Sequence, residues 1–292
     1  MIFLENLFNM PSSKNNPKVS VIIRCYNQAE YITQAINSAR HQSFKNLEII
    51  IIDDHSTDNS VDIIRGLANN DQRIKLILNQ ENLGGGQGTG GAGRPLNQCL
   101  AVASGKYTAI LDGDDFWTDT NKTARQVEFL ENNPDYVLVG SFVQNFDRHG
   151  TPLDKCKLPI TDQALRSQIL KSNPIAASSI MFHTAKALKV GGYPEKPLRA
   201  VDLGMWLKLG VIGKMYNIPE YWHGHRMTGV NIGEVNRHKQ LDSALYHIKL
   251  HRHSYPNFYQ AWLRHQLLRF MFRLPNPVIK SIRLVKNIKT IL

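Results

Sequence analysis

The 292-residue sequence predicts an α/β fold built on a mostly parallel sheet, from three observations. A strand, a helix and a second strand follow one another within about thirty residues from Val19, the length of a βαβ unit. The predicted strands are continuous apolar runs and not alternating ones, as expected where helices cover both faces of a sheet. Carboxylates also follow directly on two of these runs, at Asp53-Asp54 and Asp112. Open α/β sheets bind ligands at their strand carboxyl ends.

The first strand begins at Val19-Ser20-Val21-Ile22-Ile23 and stops before the turn former Asn27. Residues 28–42 then place Ile32, Ala35, Ile36 and Ala39 at helical intervals. Leu47 to Ile52 is the second strand, and it runs into Asp53-Asp54-His55-Ser56-Thr57-Asp58. A helix over 59–69 and a strand over Ile74–Leu78 continue the pattern. Residues 84–93 hold seven glycines in ten positions. The nucleotide fingerprint Gly86-x-Gly88-x-x-Gly91 can be cut from this stretch, but glycine this dense produces it by composition, and the Gly-Lys-Ser/Thr ending of a phosphate-binding loop is absent. The stretch reads as a loop that folds over substrate or simply connects. A helix over 95–104 packs behind the strand that ends at Asp112.

That strand delivers Asp112-Gly113-Asp114-Asp115, three carboxylates in four residues. Such charge density needs a positive partner. Carboxylates at this spacing suit a hard divalent ion, Mn²⁺ or Mg²⁺, which takes its other ligands from phosphates and water. In an extended segment Asp112 and Asp114 share a face, and Gly113 between them lets a ligand approach the backbone. The competing reading is an acidic turn closing a buried strand.

Further along, helix is predicted over 122–130 and strand over Asp135–Val143. Asn173 to Phe182 reads as a turn entering a buried strand. A helix follows Val201-Asp202, where Asp202 is suited either to proton abstraction or to capping the helix N-terminus. His223 and His225 are spaced to share a strand face, and His225 is a further candidate metal ligand. Residues from Lys239 to Phe272 look helical.

Hydrophobic residues make up 42% of the chain and charged residues 20%, values of a globular protein and not of a disordered chain. No apolar run reaches the roughly 18–20 residues of a spanning helix. Cys25, Cys99 and Cys156 fit neither a disulfide framework nor a zinc site. The formal charge of +11 is uneven: nine cationic residues and no acidic one follow Asp242. Residues 278–292 alternate apolar and basic side chains and are expected to lie on an anionic membrane surface. No nucleic-acid module is present. Residues 1–17 read as an arm without the basic region or cleavage site of a secretory signal. The expected place is the cytoplasm, peripheral on the inner face of the membrane.

Five segments together resemble the family 2 glycosyltransferases of the GT-A fold. They are Val19–Ile23 with Tyr26-Asn27, Ile52-Asp53-Asp54-x-Ser56-Thr57-Asp58, Asn82-Leu83-Gly84, Ser104-Gly105-Lys106-Tyr107, and Leu111-Asp112-Gly113-Asp114-Asp115. The resemblance implies a nucleotide-sugar-binding half over 18–120 and an acceptor-binding half over 121–238 of the same domain; it does not reach 239–292, which the residues themselves give as a helical basic extension. It implies inverting transfer of a sugar from a nucleoside diphosphate sugar, a UDP-sugar by family habit, to a glycan or lipid-linked glycan hydroxyl in cell-surface glycan synthesis. Tyr26, Asn27, Asp54, Arg94, Asp112 and Gly113 would meet the donor, and Asp54 its base or ribose. Asp112, Asp114 and Asp115 would hold the metal on the diphosphate, and Asp202 would be the base. Arg24 stands where the family commonly has Pro, His55 where it has Gly, and Val201 where Glu precedes the Asp; the first two read as tolerated. The alternative is a non-catalytic nucleotide-sugar-binding or scaffold protein recruited through its basic tail.

Overall fold

The computed structural model describes residues 18–84, 92–197, 199–229 and 237–272. The arm, most of the glycine-rich stretch and the segment 278–292 therefore lie outside the described residues. In chain order the elements begin β1 (Val19–Cys25), α1 (Ile32–Arg40), β2 (Leu47–Asp53), α2 (Ser60–Ala68), β3 (Ile74–Leu78), α3 (Gly93–Val102) and β4 (Tyr107–Asp112). Then come β5 (Phe116–Trp117), α4 (Lys122–Asn132), β6 (Tyr136–Asp147), β7 (Pro152–Cys156), α5 (Asp162–Gln168), β8 (Met181–His183) and α6 (Thr184–Lys189). The last are α7 (Val201–Ile212), β9 (Lys214–Met227), α8 (Arg237–Leu250) and α9 (Phe258–Met271).

The strands form one sheet in the order β3-β2-β1-β4-β8-β6-β9-β5, with β7 paired to β6. The β3-β2-β1-β4 side is parallel. Beyond it β8 runs antiparallel to both β4 and β6, while β6 and β9 are parallel. Because side chains alternate along a strand, Ile22, Ile50 and Ile110 face the side covered by Leu96 and Leu100 of α3 and by α7. Val21, Ile23, Ile49, Ile51 and Leu111 face Ile32 and Ile36 of α1. This two-sided burial is the reason those strands read as unbroken apolar runs.

Three elements depart from the predicted pattern. The strand expected at the end of 173–182 is only three residues long and follows a 3-10 turn at Ala177–Ser179. The 14-residue β9 carries Pro219 and Glu220 in a bulge where its register against β6 slips between Ser141 and Phe142. The helical stretch 239–272 is two helices, broken before α9 where Asn257 turns to φ +65°. Both helices belong to the main core: Leu245, Ile248 and Tyr255 are buried, and the Tyr255 hydroxyl donates to the Leu207 carbonyl of α7 at 2.7 Å.

Candidate active site

Strands β1 and β4 end side by side, with Arg24 in register with Asp112. The three carboxylates that follow meet three different fates. Asp112 is paired: its Oδ1 lies 2.9 Å from Arg24 Nη2. Asp115 is buried and surrounded. Its Oδ2 accepts from Ser178 Oγ at 2.7 Å and lies 2.8 Å from His223 Nε2, while its Oδ1 accepts from the Arg226 backbone N–H at 3.0 Å and lies 3.1 Å from His225 Nδ1. Burial alone would raise the Asp115 carboxyl, but His223 and His225 outweigh it and hold the group well below the usual range. Asp114, between them, accepts only from its own backbone N–H among the described residues, and burial followed by the charges of Asp115 and Asp112 pushes it up.

Residues distant in sequence build this arrangement. Ser178 sits on the 3-10 turn, accepts from the Asp112 backbone N–H at 3.1 Å and so joins the end of β4 to the third carboxylate. Histidines 223 and 225 share one face of β9 as their spacing predicts, and their ring nitrogens and an Asp115 oxygen lie within 4.8 Å of one another. Burial opposes a charge on His225, yet the Asp115 bond and the nearby Asp114 and Asp112 charges push it up to about 9. The Arg226 guanidinium donates to the Asp114 carbonyl and to Gln34 Oε1 and stacks over Tyr31, bracing the turn from beneath. Gly113 is also required by the fold itself: a Cβ there would strike Gln28 Oε1 and the Arg24 carbonyl, at and just after the end of β1.

The other donor-side candidates line the same sheet edge. Asn27, at φ +50°, accepts from the Thr57 N–H at 2.8 Å and its own N–H donates to Ser56 Oγ, which ties the loops after β1 and β2 together; Tyr26 beside it is half-buried. The Asp54 carboxylate is fully buried and accepts from Asn79 Nδ2 and from the Leu83 and Gly84 N–H groups. Arg94, on the first turn of α3, pairs with Glu195 at the surface, 3.3 Å away.

Asp202 lies on the first turn of α7, facing this cluster closely enough that Asp112 and Arg24 both bear on its charge. Ala200 holds the N-cap position at φ +51° without a side-chain bond, while the Asp202 carboxylate accepts from the Leu203 N–H of the first turn and from Asn173 Nδ2 at 2.7 Å. Burial, with Asp112 adding, pushes the Asp202 carboxyl above the ordinary carboxylate range.

The model of glycosyl transferase family 2 matches residues 20–187. The chain belongs to that family. The putative teichuronic acid biosynthesis glycosyltransferase TuaG of Bacillus subtilis is 33% identical over 194 residues, covering 66% of this chain and 72% of that one. Among solved structures, TarS 1–349 of S. aureus in complex with UDP-GlcNAc superposes with a TM-score of 0.70 at 18% identity, covering 89% of this chain and 77% of that one. The mannosyltransferase PcManGT of Pyrobaculum calidifontis, in complex with GDP-Man and Mn²⁺, does so with 0.63 at 19% identity, covering 90% and 74%. The fold is GT-A, an α/β fold with a curled mixed sheet flanked by helices.

In this family 2 glycosyltransferase the departures from the usual pattern acquire physical meaning. Arg24, read from sequence as tolerated, is the counter-ion of Asp112. His55 adopts φ +69°, the conformation for which the family's Gly is suited. Val201, in place of Glu, is buried in the core behind the site. The sequence singled out His223 only through its i, i+2 spacing from His225, and nothing local signalled Ser178.

Proposed function

We propose that this glycosyltransferase moves a sugar from a nucleoside diphosphate donor, a UDP-sugar, to a hydroxyl of a cell-surface or lipid-linked glycan with inversion, Asp202 taking the acceptor proton. The observation that carries this reading is the pairing of Asp114, which no cation contacts directly among the described residues, with a desolvated Asp202 at one sheet edge. Asp114 is partly buried; Arg24 and His225 act on its charge from a distance, whereas Arg24 and the two histidines contact its neighbours Asp112 and Asp115 directly. The donor set fits a hard divalent cation, Mn²⁺ or Mg²⁺: Asp114 and Asp112 would supply carboxylate oxygens and His225 the neighbouring nitrogen. The four partners of Asp115 fit it to orient His225 and the β9 backbone instead of opening toward a metal. When bound, the cation supplies positive charge to the departing diphosphate.

The chain's own residues do the rest. Asp54 holds Asn82–Gly84 in place for the base and ribose, so its part in donor binding runs through that loop, and Tyr26 and Asn27 form the opposite wall. Arg94 reaches the diphosphate after leaving Glu195. Asn173 orients the Asp202 carboxylate, whose raised proton affinity suits a general base. Attack by the acceptor oxygen and departure of the nucleoside diphosphate in one displacement inverts the anomeric carbon. The names of TuaG and of the UDP-GlcNAc complex of TarS support the acceptor class and the donor nucleotide.

Calorimetric titration with UDP, GDP, CDP and dTDP, with and without Mn²⁺, tests the donor side: UDP is expected to bind only with metal, and Asp114→Asn to lose that metal-dependent binding. Asp202→Asn is expected to bind UDP normally while turnover falls by about 10²–10⁴-fold. Retained turnover in that variant would end the base assignment.

A further inference from the structure

The C-terminal helix pair leaves a large apolar surface uncovered. On α9, Tyr259 (83% exposed), Trp262, Leu263, Leu267 and Phe270 (63%) stand in solvent. At about 100° per residue they fall within an arc of roughly 140°. Ala261, His265 and Leu268 occupy the opposite side and face the core. An ordinary surface helix turns polar residues outward, so α9 carries a second apolar face with no partner among the described residues. Arg264 and Arg269 border that face on either side, Lys249 and Arg252 are exposed at the end of α8, and no acidic residue follows Asp242.

We propose that the exposed face of α9 is a docking surface for an anionic lipid bilayer, with Tyr259, Trp262, Leu263, Leu267 and Phe270 entering the interface. The occupant is a membrane because of the chemistry around the patch. Arg269 is paired with Asp242 of α8 at 2.8 Å, but with Arg264, Lys249 and Arg252 the border of the face keeps a net positive charge. Apolar and aromatic side chains flanked by an excess of cations match the boundary between acyl chains and anionic headgroups, and the same excess disfavours a second copy of this surface and the basic segment 273–292. No helix among the described residues is long and apolar enough to cross a membrane, so the attachment is peripheral, parallel to the bilayer plane. The inference does not rest on the reaction assigned above, and its test uses no sugar.

Trp262 provides the probe. The other three tryptophans, Trp117, Trp206 and Trp222, are at most 5% exposed, whereas Trp262 is 38% exposed. The full chain is mixed with vesicles of phosphatidylcholine, with or without phosphatidylglycerol, and with lipids brominated along the acyl chain. Expected are co-flotation that depends on phosphatidylglycerol, quenching of Trp262 by the brominated chains, and loss of both by about tenfold or more in Leu263→Asp/Leu267→Asp. That double variant should keep the wild-type melting temperature, because both side chains are exposed. Flotation of the double variant equal to wild type would overturn the proposal and assign attachment to the segment after residue 272. It would equally be overturned if Trp262 were shielded from iodide in vesicle-free buffer and the chain sedimented as a dimer that the double variant dissolves, since the face would then belong to a second copy.

Discussion

Arg24 changes the meaning of the acidic cluster one residue at a time. Its guanidinium and Asp112 are both largely buried, so removing either leaves an uncompensated charge. Arg24→Met is expected to lower stability by about 1–3 kcal/mol, the pair being partly solvated, and Asp112→Asn in that background to restore part of the loss. A double-mutant cycle by urea unfolding checks this; additive losses would show the two groups to be uncoupled. The same scale governs the pH dependence of turnover. With Asp202 as the base proposed above, it must be ionised to accept a proton, and because burial raises its carboxyl the acid limb of the pH–rate profile should lie above the ordinary carboxylate range. Legibility followed the same division. Three carboxylates in four residues announce a cation, but which of them already has one depends on Arg24 across a strand pair and on His223, 108 residues further on. No local pattern carries that information.

At the scale of elements, the parallel half was legible because burial on both faces writes Val21-Ile22-Ile23 into β1 and Ile49-Ile50-Ile51-Ile52 into β2. Strand β9 was not, since Pro219, Gly224 and two histidines interrupt any apolar run and its identity comes from pairing with β6. The Ser104-Gly105 motif likewise looked like a family marker without a function. It closes a buried network in which Glu48 Oε1 accepts from Ser20 Oγ at 2.6 Å and from the Ser104 N–H and Oγ at 2.8 Å, with Lys75 on Oε2. Burial opposes the Glu48 charge, and these donors together hold the carboxyl below its ordinary value. Glu48→Ala strands several buried donors and should cost about 2–4 kcal/mol, whereas Lys75→Ala, which removes an exposed partner, should cost no more than about 1 kcal/mol. Equal losses in thermal melts would place the energy in the ion pair and not in the network.

Across the whole molecule, two histidines packed between elements set a limit on acid tolerance. His183 is lowered to about 4 by burial, then by Lys186 and Lys106; His247 is lowered to about 4 by burial, then by His251 and Lys208. Unfolded histidine titrates near about 6.5, so between these values the unfolded chain binds protons that the folded one refuses. Stability is therefore full above about pH 6.5 and falls as pH drops toward 4. Unfolding free energies measured across that window should show this slope, and His183→Gln should flatten it. A slope unchanged by the substitution would place the acid sensitivity elsewhere.

Asp115 and its partners on β9 also bear on how the chain is made. The acidic turn is made well before the groups that neutralise its buried third carboxylate: His223 lies 108 residues after Asp115, and with His225 and the Arg226 N–H it belongs to the last strand of the sheet to leave the ribosome. Until they arrive, a nascent chain holding β1 to β4 carries a carboxylate that cannot be buried without its partners, and this edge must stay hydrated and open. The strand that finishes the active site is thus also the one that permits the fold to close around it.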